Sequence, residues 1–291
     1  MKRKKPLKPM NDDNPAHSRP FAGTIRRYRR ALGRRFNARL RPYRFLIYAG
    51  GRSGSNSLVK ILNCYAGIDC ADEPFNADHH GNVRDRVTDL PSLRREIARL
   101  WRLYNGFKHV WHVSGWPFDG QPLLNDYIVT QAAATVILLH RKNLLQRIVS
   151  GDIGYQSQVW HVEDDGDRSK LLNHPFRPLD RTTIRERLGE ERRAFTDVQR
   201  RLDQLRVPYK TVSYEELFSG ASEKQKLSII GELIAFITKV PFQRQRLGDR
   251  ALQVMDPAHT RLNSAQTYEL VPQIHEVEEE FGCEETGYLF R

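Results

Sequence analysis

The pattern of apolar and polar positions predicts strands that alternate with helices along most of the chain. Continuous apolar runs at 45–49 and 134–139 are typical of strands buried on both faces of a parallel sheet. Further strands are expected at 107–113 and 209–213. Apolar residues at helical spacing predict helices at 56–66, 92–104, 143–160, 181–206 and 222–239. We therefore expect an α/β protein with a P-loop-like parallel sheet and helices on both of its faces. The charged, Gly- and Pro-containing stretch 163–180 is expected to be a loop.

The first 44 residues differ from the rest of the chain. Residues 1–20 are polar and contain four prolines, which predicts a disordered tail. Residues 21–44 are predicted to form a basic amphipathic helix, because apolar residues recur there at spacings of three and four: Ile25, Tyr28, Leu32, Phe36 and Leu40. This helix either packs on the body with its arginines solvated or binds an anionic membrane surface or polyanion. Residues 45–291 are expected to form the α/β domain.

The charge of the chain is concentrated in that amino-terminal arm. The net charge is +12, and residues 1–44 hold fifteen basic and two acidic residues, so the remainder carries −1. A near-neutral body is not expected to bind nucleic acid, whereas the arm could attach to an anionic membrane. Three cysteines without metal-ligand spacing, no visible secretory signal and no long apolar run indicate a cytoplasmic protein, peripheral to a membrane if the arm binds one.

The strongest local motif is at residues 45–62, where a buried strand enters a Gly/Ser loop and a helix begins at once. Backbone N–H groups of such a loop, with the positive end of the helix, suit a phosphate or sulfate. Glycines allow close approach of the backbone, hydroxyls add donors, and an arginine adds a permanent cation. The candidate anion-binding residues are Arg52, Ser53, Gly54, Ser55, Asn56 and Ser57. The alternative is a plain turn with an N-capping serine.

A second candidate site follows the other buried strand. Arg141 stands at the strand's carboxyl end and Ser150 on the next helix, so an arginine fork and a hydroxyl could hold another anionic group. Alone, such an arginine is more often a solvated strand end. The loop has Asn56 where a nucleotide triphosphatase needs lysine, and no aspartate follows the second strand. We therefore expect neither a magnesium–nucleotide complex nor any other metal.

Together the two motifs resemble the sulfotransferases that use 3′-phosphoadenosine 5′-phosphosulfate (PAPS), closest to the carbohydrate and bacterial types. The resemblance covers about residues 45–220 and implies that the Arg52–Ser57 loop binds the 5′-phosphosulfate. It implies that Arg141 and Ser150 bind the 3′-phosphate, although their spacing is one residue longer than the commonest, which leaves Lys142 as an alternative. The strand ending in Tyr214-Glu-Glu-Leu implies that Tyr214 lies near the adenine. The Lys-Gly-x-x-Gly loop of cytosolic relatives is missing, and the candidate replacement is around residues 259–263.

The resemblance also implies an acceptor site. Glu73, in the Asp-Glu-Pro-Phe segment after the first helix, matches a glutamate proposed as general base in some relatives. The alternative bases are His109 and His112, on a strand where cytosolic relatives carry Lys-x-His, a spacing that Lys108-His109 does not reproduce. Lys108 and His109, with Trp160 and His161, are the expected acceptor contacts. Each of these residues also has a structural interpretation, as a loop carboxylate, strand core or helix end.

The expected function is therefore sulfuryl transfer from PAPS to a hydroxyl, expected on a carbohydrate or glycoconjugate. Arg52 would neutralise the charge that develops on the leaving group. Two other classes stay open: a P-loop kinase acting on a small molecule, and a non-catalytic protein that binds polyanions through its basic arm.

Overall fold

The computed structural model describes residues 43–78, 82–112, 115–160, 165–219, 221–256 and 265–290. The predicted tail at 1–20 lies outside the described residues, and so does nearly all of the predicted helix at 21–44. The described part contains one five-stranded, all-parallel sheet. It confirms an α/β fold of the P-loop-like type.

The strands follow the order β2-β3-β1-β4-β5 across the sheet. They are β1 (Phe45–Gly50), β2 (Cys70–Ala71), β3 (Gly106–Trp111), β4 (Thr135–His140) and β5 (Tyr209–Ser213). In the central strand Phe45 pairs with Gly106 of β3 on one side and with Thr135 of β4 on the other. The three central strands are therefore in level register, and their carboxyl ends meet at one edge.

Eleven helices are present among the described residues. They are α1 (Ser55–Leu62), α2 (Leu90–Leu100), α3 (Pro122–Gln131), α4 (Leu144–Ser157), α5 (Asp165–Leu172), α6 (Arg181–Gln204), α7 (Tyr214–Phe218), α8 (Glu223–Thr238), α9 (Arg250–Met255), α10 (Ala265–Tyr268) and α11 (Ile274–Phe281). Short 3₁₀ turns lie at Arg84–Arg86 and Arg244–Arg246.

The helices cover both faces of the sheet, which explains the continuous apolar runs. Ile47 of β1 packs in a core with α1 and α8, and its neighbour Leu46 packs on the opposite face with α2, α3 and α6. Alternate residues of a strand point to opposite faces, so a strand covered on both faces must be apolar throughout. A third cluster joins α4, the start of α6 and α11 beside the sheet.

The predicted strands and long helices are confirmed, with ends that move by one to four residues. The predicted loop at 163–180 was wrong in part, because α5 occupies Asp165–Leu172. This helix buries Leu171 and is otherwise polar, so its sequence carries almost no apolar periodicity. The two-residue strand β2, helix α3 and the short helices after residue 240 were not predicted.

Candidate functional site

The loop between β1 and α1 is a tight turn that turns its backbone toward the carboxyl edge of the sheet. Gly54 caps α1 with a left-handed φ of 82°, and a Cβ atom there would lie 2.7 Å from the ring of Tyr214. Ser53 is buried and donates to the Gly50 carbonyl over 2.7 Å, which closes the turn. Gly54 offers no side-chain cap, and the N-terminus of a helix suits an anion.

Arg52 connects this loop to helix α4. Its backbone is also left-handed, with φ 62°, and its Nε donates to Ser150 Oγ over 3.0 Å. Its Nη1 donates to the Trp160 carbonyl over 2.6 Å. Burial and the positive charge of Arg141 lower the pKa of Arg52 to about 10, so the guanidinium is still charged at neutral pH. The structure therefore brings the two predicted anion motifs together, with Arg52 in contact with Ser150.

Arg141 leaves the end of β4 and lies over the ring of Tyr214, 4.5 Å from its centroid. Its Nη2 donates to Gln146 Oε1 over 2.7 Å, and its Nη1 points at the Arg52 carbonyl at 3.4 Å. Its Nε is buried and has no hydrogen-bond partner among the described residues. A buried donor on a permanent cation without an acceptor is costly, and contact with an anion would satisfy it.

Two further residues belong to this region but were missed from the sequence. Arg147 of α4 donates to the Gly51 carbonyl over 2.8 Å and forms a buried ion pair with Glu191 of α6. Burial and other arginines lower the pKa of Arg147 to about 9, so it too is charged at neutral pH. Tyr268 of α10 is buried near Arg141, and burial raises its pKa. In the sequence, the feature that pointed to Arg147 was its charge among the apolar residues of α4.

Glu73 lies on the other side of the loop, in a cluster around Lys108. The ammonium group of Lys108 lies 2.6 Å from Asp72 Oδ1 and 2.6 Å from Glu73 Oε1, and it donates to Asn56 of α1. The second oxygen of Glu73 accepts from Asn76 Nδ2 over 2.6 Å. The predicted general base is therefore connected to the loop helix through a single buried lysine.

Lys108 and His109, the acceptor contacts expected on β3, are both buried in this structure. Both side chains are at most 2% exposed, because β3 is an inner strand with both faces covered. His109 points away from Lys108, and its Nε2 pairs with Asn125 Oδ1 at 2.8 Å. Burial lowers the pKa of His109 to about 4, so it is neutral at pH 7. Neither side chain can touch an acceptor in this conformation, and His109 is not placed to act as a base.

A cleft of about 190 Å³ opens at the carboxyl edge between β1, β3, β4 and α6. Its lining combines loop backbone, cations and aromatic rings, from Gly50, Ser53, Trp111, His140, Arg141, Lys142, Arg147, Glu191, Arg192 and Phe195, among others. Trp111 Nε1 is buried without a partner among the described residues. Trp160 lies beyond Arg52 with 43% of its surface exposed, whereas His161 lies outside the described residues.

Comparison with protein-family models and with curated proteins finds no match to this chain. None of the helices described here has the length and apolar character needed to cross a bilayer.

Proposed function

We propose that this protein is a sulfotransferase that moves a sulfuryl group from PAPS to a hydroxyl of a carbohydrate or glycoconjugate. One observation carries the proposal: Arg52 and Arg141 meet at the carboxyl edge of the sheet, and their hydrogen bonds go to neutral groups. Their acceptors are Ser150 Oγ, two backbone carbonyls and Gln146 Oε1. No carboxylate of the described residues pairs with either arginine, so an external anion is the natural counter-charge.

The donor set fits a nucleotide with two separated anionic groups. The N–H groups and hydroxyls of the loop from Arg52 to Ser57 would hold the 5′-phosphosulfate, and Arg141 with Ser150 would hold the 3′-phosphate. The unpartnered Nε of Arg141 supports this assignment. Tyr214, at the start of α7 between Gly54 and Arg141, would lie near the adenine. When bound, PAPS supplies an activated sulfuryl group and leaves as adenosine 3′,5′-bisphosphate.

The chain's own residues would supply a base and a countercharge. Glu73 is proposed to accept the proton of the acceptor hydroxyl as the hydroxyl oxygen attacks sulfur. Lys108 would act as a positioning residue, since it fixes Glu73 and Asn56 from inside the sheet. Arg52 would neutralise negative charge that develops on the leaving oxygen. No step in this scheme requires a metal ion from the protein.

The acceptor class rests on the surroundings of the cleft. The partly exposed ring of Trp160 and the edge of Trp111 offer aromatic surfaces and one unpartnered N–H, a combination that suits a polyhydroxylated ring. The basic arm at 1–44 is proposed to bind an anionic membrane surface from the cytoplasmic side, because the rest of the chain is near neutral.

A small-molecule kinase is the competing function, since Lys108 brings an ammonium group to the first turn of α1. That ammonium is already paired with Asp72 and Glu73, which argues against a role on a triphosphate. Calorimetric titration separates the two functions. Adenosine 3′,5′-bisphosphate should bind and magnesium–ATP should not, and Arg141→Ala should weaken the bisphosphate roughly 10- to 150-fold while changing adenosine 5′-monophosphate little. Preference for magnesium–ATP would contradict the proposal.

A further inference from the structure

The last described residues, 283–290, pack across the first turn of α4. This 283–290 segment folds back on itself, with Gly287 N donating to the Cys283 carbonyl over 2.8 Å. The Thr286 carbonyl accepts from Leu145 N over 2.9 Å, and the Tyr288 carbonyl accepts from Asn143 Nδ2 over 2.7 Å. Leu289 is 3% exposed in the third core cluster. The segment is thus fixed to the helix that carries Ser150.

Gln146 connects this segment to the candidate anion site. Its Nε2 donates to the Leu289 carbonyl over 3.1 Å, and its Oε1 accepts from Arg141 Nη2 over 2.7 Å. Arginine can only donate and a carbonyl can only accept, so these two partners fix the orientation of the amide. Gln146 therefore orients the guanidinium of Arg141 together with the ring of Tyr214, the Arg52 carbonyl and a side-chain hydrogen bond with Tyr268.

We propose that Gln146 is a positioning residue that, with the 283–290 segment, holds Arg141 ready for the 3′-phosphate and so makes the site selective for a 3′-phosphorylated nucleotide. This inference rests on the proposed function. An unrestrained arginine must give up its rotamer freedom when it binds, whereas a pre-oriented one has already lost that freedom during folding. The amide of Gln146 is uncharged, so it orients Arg141 without competing with phosphate for its charge.

The first test is the variant Gln146→Met, which keeps the length of the side chain and removes both hydrogen bonds. Binding of adenosine 3′,5′-bisphosphate and of adenosine 5′-monophosphate is measured by calorimetry. We expect roughly tenfold weaker bisphosphate binding and less than a twofold change for the monophosphate. A merely structural role would weaken both nucleotides equally, and unchanged selectivity in a variant with a native circular dichroism spectrum would overturn the inference alone. A wild-type protein without preference for the bisphosphate would overturn the proposed function as well.

The second test perturbs the segment and leaves Gln146 in place. Gly287 has φ 86°, and a Cβ atom there would lie 2.4 Å from Asn143 Oδ1, so Gly287→Ala should displace the segment from α4. Gly120→Ala is the matched control, because Gly120 also has a left-handed φ of 73° but no atom within 4 Å of the added carbon. We expect Gly287→Ala to reproduce the loss of selectivity and Gly120→Ala to retain wild-type selectivity. Equal selectivity in both variants would show that the segment does not hold Arg141.

Discussion

Variants of the buried ion pair between Arg147 and Glu191 should change the stability of the fold and the nucleotide affinity of the β1–α1 loop independently. Both residues are less than 10% exposed, and Arg147 also donates to the Gly51 carbonyl. The variant Glu191→Gln leaves a buried guanidinium without its counter-charge. Arg147 stays protonated at pH 7, because an arginine side chain does not lose its proton at neutral pH in proteins. Its charge therefore cannot be relieved at neutral pH by loss of a proton.

The expected cost follows from that burial. Breaking a buried pair by removal of one partner typically lowers the free energy of unfolding by about 3–5 kcal/mol. A domain stable by about 5–15 kcal/mol would lose a large part of its stability. The double variant Arg147→Met, Glu191→Leu should recover most of the loss, because apolar groups of similar volume replace such pairs at little cost. Arg187, the other arginine near Glu191, retains its 2.8 Å ion pair with Asp152 in this variant.

The nucleotide affinity of the β1–α1 loop should not recover in the double variant, although the free energy of unfolding should. In the double variant the Gly51 carbonyl has lost its hydrogen bond from Arg147. The bisphosphate should therefore bind about tenfold more weakly, even though the free energy of unfolding has recovered. Urea denaturation measures the first quantity and calorimetric titration the second. Glu190→Gln is the matched control on the exposed face of the same helix, where a change within ~0.5 kcal/mol is expected. A Glu191→Gln variant as stable as this control would refute the ion-pair reasoning, and wild-type nucleotide affinity in the double variant would refute the role of Arg147 in the loop.

Three other changes test the site. Gly54→Ala should lower the free energy of unfolding by ~1–3 kcal/mol and abolish bisphosphate binding, because the left-handed turn and the ring of Tyr214 leave no room for a Cβ. Calorimetry that shows normal bisphosphate binding by this variant would contradict the prediction. Glu73→Gln should slow sulfuryl transfer ~10²- to 10⁴-fold with little effect on nucleotide affinity, and a near-normal rate would remove Glu73 as the base. In the unfolded chain His109 takes up a proton near its ordinary pKa of about 6.5, whereas in the folded chain its pKa is about 4. Between pH 7 and pH 4 only the unfolded chain is therefore protonated at His109. Stability should therefore fall by ~3 kcal/mol on acidification, a slope that urea titrations of His109→Gln should lack.

The sheet was predictable because its inner strands leave a strong trace in the sequence. Strand β1 and positions 136–139 of β4 are apolar without interruption, so their burial on both faces could be inferred. In contrast, β2 has two residues and exists only through its pairing with β3. Helix α5 has a polar sequence with Leu171 as its buried residue, so tertiary packing determines it and local pattern does not.

The part of the candidate site that depends on sheet topology could be predicted from the sequence. Carboxyl ends of neighbouring parallel strands meet at one edge, and the sequence placed both Arg52 and Arg141 directly after such strands. The exposure of side chains on β3 could not be inferred in the same way. Lys108 and His109 were expected at the acceptor, but an inner strand covered on both faces buries them. Arg147 was missed because its partner is 44 residues away on α6, and no local pattern records that contact.

Counter-charges distinguish the functional cations of this region from the structural ones. The sequence presents Arg52, Lys108, Arg141 and Arg147 alike, as cations next to apolar segments. The structure pairs Lys108 with two carboxylates and Arg147 with Glu191, so the fold itself neutralises both. Arg52 and Arg141 contact neutral acceptors, and each lies close enough to the other that Arg141 helps to lower the pKa of Arg52. Two like charges kept together without an internal partner destabilise a folded protein, and a bound dianion at this edge would relieve that repulsion. For this reason we propose that an anion binds between Arg52 and Arg141, and not at the more deeply buried lysine.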